Sequence, residues 1–374
     1  MNTYDFIIVG GGIAGASAAY ALAADARVLM LERESQCGYH STGRSAALFL
    51  QSHGPDVVRG LARGSKAFFL NPPSGFCDYE LLRPRGMLFI GGHGQEPELD
   101  RIATECRRFV ATIVRLDSRA TREMVPVLKA AAVAGAVFDP EAMDMDVHAI
   151  HYGFIRGARG RGGVTCENAE VLAASRADGQ WKLHTAASAC AAPVVINAAG
   201  AWCDQVGQLF HARPLGLVPK RRTAFVFDPP DDADSDKWPV VHDVGETFYF
   251  KPEAGKILAS PADETPMEPC DVHPDDLDIA AAVARIQQAA ELPVTHIDRK
   301  WAGLRSFVAD GCPVAGYDPA IEGFFWLAGQ GGYGIETSPA MGRLCASLAM
   351  QRGVPNDLAA LGVSERDLAP ARFK

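Results

Sequence analysis

The segment Val9-Gly10-Gly11-Gly12-Ile13-Ala14-Gly15 lies between the apolar run Tyr4-Asp5-Phe6-Ile7-Ile8 and a stretch of small residues, and its chemistry is that of a phosphate cradle. Gly10 permits a tight turn and Gly12 lets the backbone approach a pyrophosphate. Gly15 lets helix and strand pack closely, while N–H groups at the helix start, around Ile13 and Ala14, receive the phosphate charge. Twenty residues after Gly12, the run Arg27-Val28-Leu29-Met30-Leu31 ends in Glu32, followed by Arg33. A carboxylate at that place accepts hydrogen bonds from a ribose diol and rejects a 2′-phosphate. Together these residues read as a dinucleotide-binding βαβ unit.

Arg222 and Arg305 offer a second chemistry. A guanidinium is planar and permanently charged, and it recognises a carboxylate through two parallel hydrogen bonds. Both arginines stand beside apolar residues, unlike a typical solvated arginine. Two readings stay open on this evidence: a clamp for a carboxylate ligand, or ion pairs with buried acids.

These residues need elements to position them. Residues 6 to 24 carry no charge over a length that could also span a membrane. Three consecutive glycines would cost such a helix roughly 1 kcal/mol each, and no basic segment precedes it, so strand, turn and helix is the better reading. The run Pro193-Val194-Val195-Ile196-Asn197 leads into Ala198-Ala199-Gly200-Ala201-Trp202 as a second strand exit of small residues. Another follows at Phe324-Phe325-Trp326-Leu327-Ala328, then Gly329-Gln330-Gly331-Gly332-Tyr333-Gly334, then a helix opened by Thr337-Ser338-Pro339. Helices are expected over 56–70 and 96–112, and a strand over 81–91. The segments 223–227, 246–251 and 256–259 alternate as strands of an antiparallel sheet with one apolar face. The chain therefore weaves between a nucleotide domain and a sheet domain.

Composition excludes several classes of function. With 374 residues, 48% hydrophobic and 22% charged, the chain can bury a full core. A formal net charge of -9 leaves no basic stripe for nucleic acid. Arg156, Arg159 and Arg161 read as a solvated helix end. Nine cysteines, an odd number without a Cys-x-x-Cys pair, suit reduced thiols in a cytoplasm and point to neither a disulfide framework nor a metal site.

Several motifs taken together are more specific: His40-Ser41-Thr42-Gly43-Arg44-Ser45-Ala46-Ala47, Asn197-Ala198-Ala199-Gly200-Ala201-Trp202-Cys203-Asp204, Pro219-Lys220-Arg221-Arg222, Trp301-Ala302-Gly303-Leu304-Arg305-Ser306-Phe307, and Gln330-Gly331-Gly332-Tyr333-Gly334-Ile335. With them the chain resembles the FAD-dependent amine and amino-acid oxidoreductases that include D-amino-acid oxidase, sarcosine oxidase and glycine oxidase, and within that family it most resembles D-arginine dehydrogenase. The resemblance implies an α/β fold of the D-amino-acid oxidase type, a Rossmann-like FAD-binding domain (1–80, 141–205 and 318–374) interwoven with an antiparallel-sheet substrate domain (81–140 and 206–317). It implies FAD bound without a covalent link, since Gly303 stands where some relatives attach flavin to a cysteine, and Cys312 is read as an ordinary buried thiol. The pyrophosphate would lie at Gly10–Gly15 and the adenosine ribose at Glu32 and Arg33. The adenine would meet the backbone of Val171, near Ala199, Gly200 and Trp202. The flavin would lie beside Ser41, Thr42, Ser45, Ala46 and Ala47, and beside Gly331, Gly332, Tyr333, Gly334 and Ile335, with Arg305 bordering it.

On the substrate side, the resemblance implies that Arg222, Arg305 and Tyr249 bind a carboxylate and that the Gly332 carbonyl accepts from the amine. The chain also departs from its nearest likeness. After Leu82-Arg83-Pro84-Arg85 it carries Gly86-Met87 where that enzyme has a glutamate for the substrate guanidinium, and Leu48 and His53 replace a histidine and a tyrosine. Leu48, Leu50 and Met87 should make the pocket apolar, favouring neutral or hydrophobic D-amino acids over D-Arg and D-Lys. His53 is a weak candidate base and is read as a solvated loop residue, within an expected mobile lid over 51–57.

The resulting expectation is oxidative deamination of a D-amino acid by hydride transfer to flavin N5, giving an imino acid that hydrolyses to a 2-oxo acid and ammonia. The alternatives are oxidation of a secondary amine, cyclic amino acid or 2-hydroxy acid, and, outside catalysis, a structural flavoprotein subunit. The electron acceptor, quinone or oxygen, stays open. The expected location is cytoplasmic or peripheral to a membrane, without a transmembrane segment.

Overall fold

The computed structural model describes residues 2–231 and 233–373. Six strands form one sheet in the order Val164–Cys166, Val28–Leu31, Phe6–Val9, Val194–Asn197, Phe324–Ala328 and Val314–Tyr317. The first five are parallel. The last joins antiparallel. Helices on the faces of a parallel sheet leave no polar side, so Phe6–Val9 and Val28–Leu31 are buried at every position. A parallel pair also needs a crossover, which helix Ile13–Leu22 supplies between these two strands. That helix is apolar on nearly every face because helices Ser338–Ala349 and Val147–Gly160 both pack on it. The uncharged stretch from Phe6 is thus strand plus a ten-residue helix. Among the described residues, no helix is long and apolar enough to cross a membrane.

The parallel strands end together at Val9, Leu31, Asn197 and Ala328, so the small-residue turns that follow them share one edge of the sheet. Ligands of open α/β sheets bind at this edge. Gly10 turns there with φ +111°, and a Cβ on it would lie 2.4 Å from the Ala198 carbonyl oxygen. A Cβ on Gly15 would lie 1.9 Å from the Gly10 oxygen, so this helix can start here only with glycine at both places.

An eight-stranded sheet lies beyond that edge, in the order Arg299–Phe307, Val218–Phe227, Lys256–Ser260, Tyr249–Glu253, Val240–Asp243, Met87–Gly91, Gly135–Asp139 and Val114–Asp117. Its register sorts side chains by face, because successive residues of a strand point to opposite sides. One face carries Leu88, Ile90, Val241, Phe250, Ala259, Phe225 and Phe227, which pack with Ile279, Ala282 and Ile286 of helix Asp276–Ala289 into a core. Cross-strand partners place Phe89, His242, Tyr249, Arg222 and Arg305 on the other face. A four-stranded sheet (Asn2–Thr3, Ala189–Ala192, Gln180–His184, Ala173–Ala177) and a three-stranded one (Leu48–Phe49, Met143–Met145, Leu82–Pro84) complete the chain.

Several expected boundaries shift. The helix expected over 96–112 ends at Cys106, and turns through Arg107–Val110 lead to a strand at Val114, because Val110, Thr112 and Ile113 are β-branched. The strand expected over 81–91 is two strands, Leu82–Pro84 and Met87–Gly91, in different sheets, broken where Gly86 takes φ +73°. In 246–251 the strand begins only at Tyr249, since Glu246 sits in a turn at φ +54°. The helix at 56–70 and the strand at 324–328 fall where expected. All nine cysteines are free thiols, and Cys312 is only partly buried.

Candidate cofactor and substrate site

A cavity of about 470 Å³ opens between the carboxyl edge of the six-stranded sheet and the polar face of the eight-stranded one. Gly10, Gly12, Ile13, Ala14, Glu32 and Arg33 line it, as do Val171, Ala199, Gly200 and Trp202. Ser41, Thr42, Ser45 and Ala46, the turn residues Gly331, Gly332, Gly334 and Ile335, and the three substrate candidates Arg222, Tyr249 and Arg305 share the same wall. Gly15, Ala47, Leu48, His53, Met87 and Tyr333 do not. Gly15 lies beneath Gly10, and Ala47 packs against the core under the six-stranded sheet. Met87 is buried with Leu50, Phe89 and Val240, and Leu48 packs against that cluster.

Backbone donors around the cavity test whether a flavin dinucleotide fits. Glu32 is buried; its Oε2 accepts from the Gly11 N–H at 2.8 Å and its Oε1 from the Glu34 N–H at 2.9 Å. The carboxylate thereby fastens the second strand exit to the glycine turn. The Thr42 hydroxyl accepts from the Ile13 N–H at 3.0 Å, and a ring N–H of His151 donates to the Gly11 carbonyl at 2.8 Å. These bonds hold the turn from both sides and leave the Gly12 N–H without a partner among the described residues. The N–H groups of Gly334 and Ile335, just before helix Ser338–Ala349, and the N–H and C=O of Val171 are likewise unpaired among the described residues. Orphan backbone groups facing a cavity are costly unless a ligand meets them. Three sets at three places suit, respectively, a pyrophosphate, the polar edge of an isoalloxazine and an adenine edge. The Arg33 guanidinium lies 4.1 Å from the Trp202 ring centroid and pairs with Glu34, so its charge is balanced at the mouth.

The arginines behave differently from each other. Arg222 donates to Glu264 at 3.0 Å, and its Nε is buried without a partner. Glu264 is 41% exposed and also pairs with Lys220 at 2.8 Å. Burial opposes its ionisation, yet Lys220, Arg222 and Arg305 hold its carboxyl below the usual range. Arg305, half-buried on the cavity wall, has no side-chain hydrogen bond or ion pair among the described residues. Burial, and after it the Arg222 charge, push its pKa down. Its guanidinium lies against Gly332, where a Cβ would come within 3.0 Å of it. A half-buried guanidinium that faces a cavity without an acceptor keeps its donors free for an anion. Ion pairing explains part of Arg222 and none of Arg305.

Three titratable groups beside the clamp carry information the sequence concealed. His53 is half-buried, with its ring 5.7 Å from that of Tyr333. Burial, followed by His242, Arg305, Arg59 and Arg222, pushes its pKa down to about 4. It is a neutral, packed imidazole, which corrects the reading of a solvated loop residue. His242 stacks parallel to Tyr249, with ring centroids 5.9 Å apart and planes 5° apart. Glu336 is buried, accepts from the Leu50 N–H at 2.9 Å, and is driven up to about 8 by burial, so it is protonated at neutral pH. The strand run Val240-Val241-His242-Asp243 did hold a signal: its alternation puts a polar residue on the face opposite Val241. Glu336 had none, because its partner is distant in the chain.

The expected lid is partly anchored. Leu50 is held by Glu336, Gln51 by Glu141 at 3.0 Å and Ser52 by Asp139 at 2.9 Å, and the helix begins at Asp56. Only His53–Pro55 lacks such ties among the described residues.

Residues 5–348 match the family described as FAD dependent oxidoreductase. An uncharacterized oxidoreductase, YurR of Bacillus subtilis, is 26% identical over 94% of this chain and 96% of its own length. Glycine oxidase of Geobacillus kaustophilus is 26% identical over 96% of both chains. The crystal structure of glycine oxidase from that organism superposes with a TM-score of 0.83 at 23% identity, over 97% of this chain and 98% of that one. Mouse dimethylglycine dehydrogenase is 24% identical over 94% of this chain, which spans 43% of that longer protein. The match runs through the glycine turn, both sheets and the turn before the last long helix, and on that extent this chain belongs to the FAD dependent oxidoreductase family.

Proposed function

We propose that this protein oxidises D-amino acids at the C–N bond, with neutral or hydrophobic side chains preferred over D-Arg and D-Lys, giving an imino acid that water hydrolyses to a 2-oxo acid and ammonia. The observation that carries this reading is the acceptorless guanidinium of Arg305, beside Arg222 and Tyr249 on the cavity wall. Bound FAD supplies the acceptor for the hydride leaving the α-carbon. The chain's own residues do the rest. Arg305 and Arg222 receive the α-carboxylate; Glu264, 41% exposed and still paired with Lys220, yields Arg222 to it. The Tyr249 hydroxyl supports the same carboxylate, and the Gly332 carbonyl accepts from the amine, so the α-hydrogen is fixed in direction.

The side-chain preference follows from charge. Met87 supplies no carboxylate, Glu336 is held protonated on Leu50, and Glu264 is held by Lys220, so a cationic side chain would meet two guanidinium groups with no carboxylate of its own. The D configuration is proposed from the resemblance read in the sequence motifs. Non-covalent attachment of FAD is supported by Gly303 on the wall and by the absence of cysteine from that wall among the described residues. The division into 1–80, 141–205 and 318–374 against 81–140 and 206–317 is proposed on the same reading, except that the strand Val314–Tyr317 pairs with Phe324–Ala328 of the FAD side. Free thiols throughout support a cytoplasmic setting.

The test is product analysis. Ammonia and 2-oxo acid should form from D-Ala and D-Val and far more slowly from D-Arg, D-Lys and the L-enantiomers. Turnover of N-methylglycines without release of ammonia would favour oxidation of an N-alkylated amine instead, the reading to which the likeness to dimethylglycine dehydrogenase lends support.

A further inference from the structure

The face of the eight-stranded sheet that carries the arginines continues past Tyr249, one strand at a time. Tyr249 pairs across to His242, and His242 pairs across to Phe89. Neighbouring strands lie about 4.8 Å apart, so His242 is the next polar group along this face from the carboxylate clamp, one strand behind the cavity wall that ends at Tyr249. Its ring is fixed by contact on two sides: parallel to Tyr249, and tilted at 56° with its centroid 5.7 Å from that of Phe89. Its Nδ1 lies 2.9 Å from the Asp243 carbonyl oxygen. A carbonyl only accepts, so Nδ1 carries the N–H, and in the neutral ring Nε2 is left with a lone pair. Among the described residues nothing donates to it.

We propose that His242 selects the substrate's side chain, its Nε2 accepting a hydrogen bond from a neutral O–H or N–H donor, a hydroxyl or a carboxamide, on a D-amino acid whose carboxylate lies on Arg222, Arg305 and Tyr249. This rests on the D-amino-acid reading above and narrows it. Three other side-chain classes fit less well. A cation meets two guanidinium groups. A carboxylate needs Nε2 protonated, and burial together with Arg222 and Arg305 holds the ring neutral, its pKa pushed down to about 4. A purely apolar side chain covers the lone pair and gives it nothing, and a buried acceptor left unmet is penalised. Sites built to hydrogen-bond a substrate group reject the isostere that lacks it far more strongly than apolar pockets reject an added methylene.

The experiment measures kcat/KM for flavin reduction in the FAD-loaded enzyme with two near-isosteric pairs, D-Thr against D-Val and D-Asn against D-Leu, with D-Asp added. It uses wild type, His242→Phe, which keeps a ring between Tyr249 and Phe89, and His242→Gln, which keeps an acceptor. The expected result is a preference for the donor-bearing member of at least roughly tenfold in wild type, falling to near one in His242→Phe and partly retained in His242→Gln. Equal kcat/KM within both wild-type pairs, or a ratio unchanged in His242→Phe, overturns the assignment while leaving D-amino-acid oxidation intact. D-Asp exceeding D-Asn also overturns it, in favour of a bound carboxylate. If no D-amino acid reduces the flavin and L- or N-methyl forms do, the underlying reading fails and the assignment falls with it.

Discussion

Arg305 is half-buried and faces the cavity without an acceptor, which is why it is proposed as the receiver of the substrate carboxylate. Arg305→Met should lower kcat/KM for D-amino acids by more than tenfold while FAD stays bound, since removing one partner of a buried charged pair costs about 2–5 kcal/mol. Near-normal kcat/KM, measured in variant that retains its flavin absorbance, would take Arg305 out of the site. Glu336 allows a test that does not depend on substrate. Its carboxyl titrates near 4.5 when unfolded and about 8 when folded, because burial disfavours the anion. Between those values the folded chain holds the extra proton, so rising pH favours the unfolded state by up to about 1.4 kcal/mol per unit, fully felt only above the folded pKa. Glu336→Gln keeps an oxygen for the Leu50 N–H and has no proton to lose. Melting temperatures of the two proteins should diverge as pH rises from 5 to 9, with the variant the more stable at pH 9. Parallel curves would show that Glu336 ionises freely. His53 and His242 act in the opposite sense: both are neutral folded and protonate more readily unfolded, so their share of stability is lost as pH falls from about 6.5 to 4.

The elements that hold these residues differ in how far they were legible. The glycine turn, the strand at 324–328 and the helix at 56–70 were readable because each is a contiguous pattern whose meaning is local. Met87, His242 and Glu336 take their meaning from partners far away in the chain. His242 matters because register sets it beside Tyr249, and Glu336 because it binds the N–H of Leu50, 286 residues earlier. Helix 96–106 is shorter than its apolar period, which persists through residues whose branching favours a turn and strand. The loop after Leu48–Phe49 was expected to move as a unit, yet Ser52 ties it to Asp139, a buried acid that burial pushes above its usual pKa. Ser52→Ala should therefore lower stability by about 1–3 kcal/mol, read by denaturant titration, and speed proteolytic nicking near Gly54. If wild type and variant are cut at the same rate, the tie does not hold the loop.

At the scale of the whole molecule, one cavity lies between a parallel sheet that ends in glycine turns and an antiparallel sheet whose apolar face is sealed by a helix. The first sheet presents unpaired backbone donors of the kind a dinucleotide takes, and the second presents the charged and polar side chains proposed to hold the substrate. Each sheet completes half of the site, which explains why the nucleotide half was clear in the sequence and the substrate half was clear only in outline. Its two arginines were visible as residue types, whereas their unequal pairing depends on Glu264, which folds back onto only one of them. Oxidation of neutral D-amino acids is tested most directly by anaerobic bleaching of the flavin against a panel of D- and L-amino acids, N-methyl amino acids and 2-hydroxy acids. Rapid bleaching by neutral D-amino acids, with D-Arg, D-Lys and the L-series slow, is the predicted result. Bleaching confined to L-amino acids, N-methyl amino acids or 2-hydroxy acids, or led by D-Arg, would contradict it.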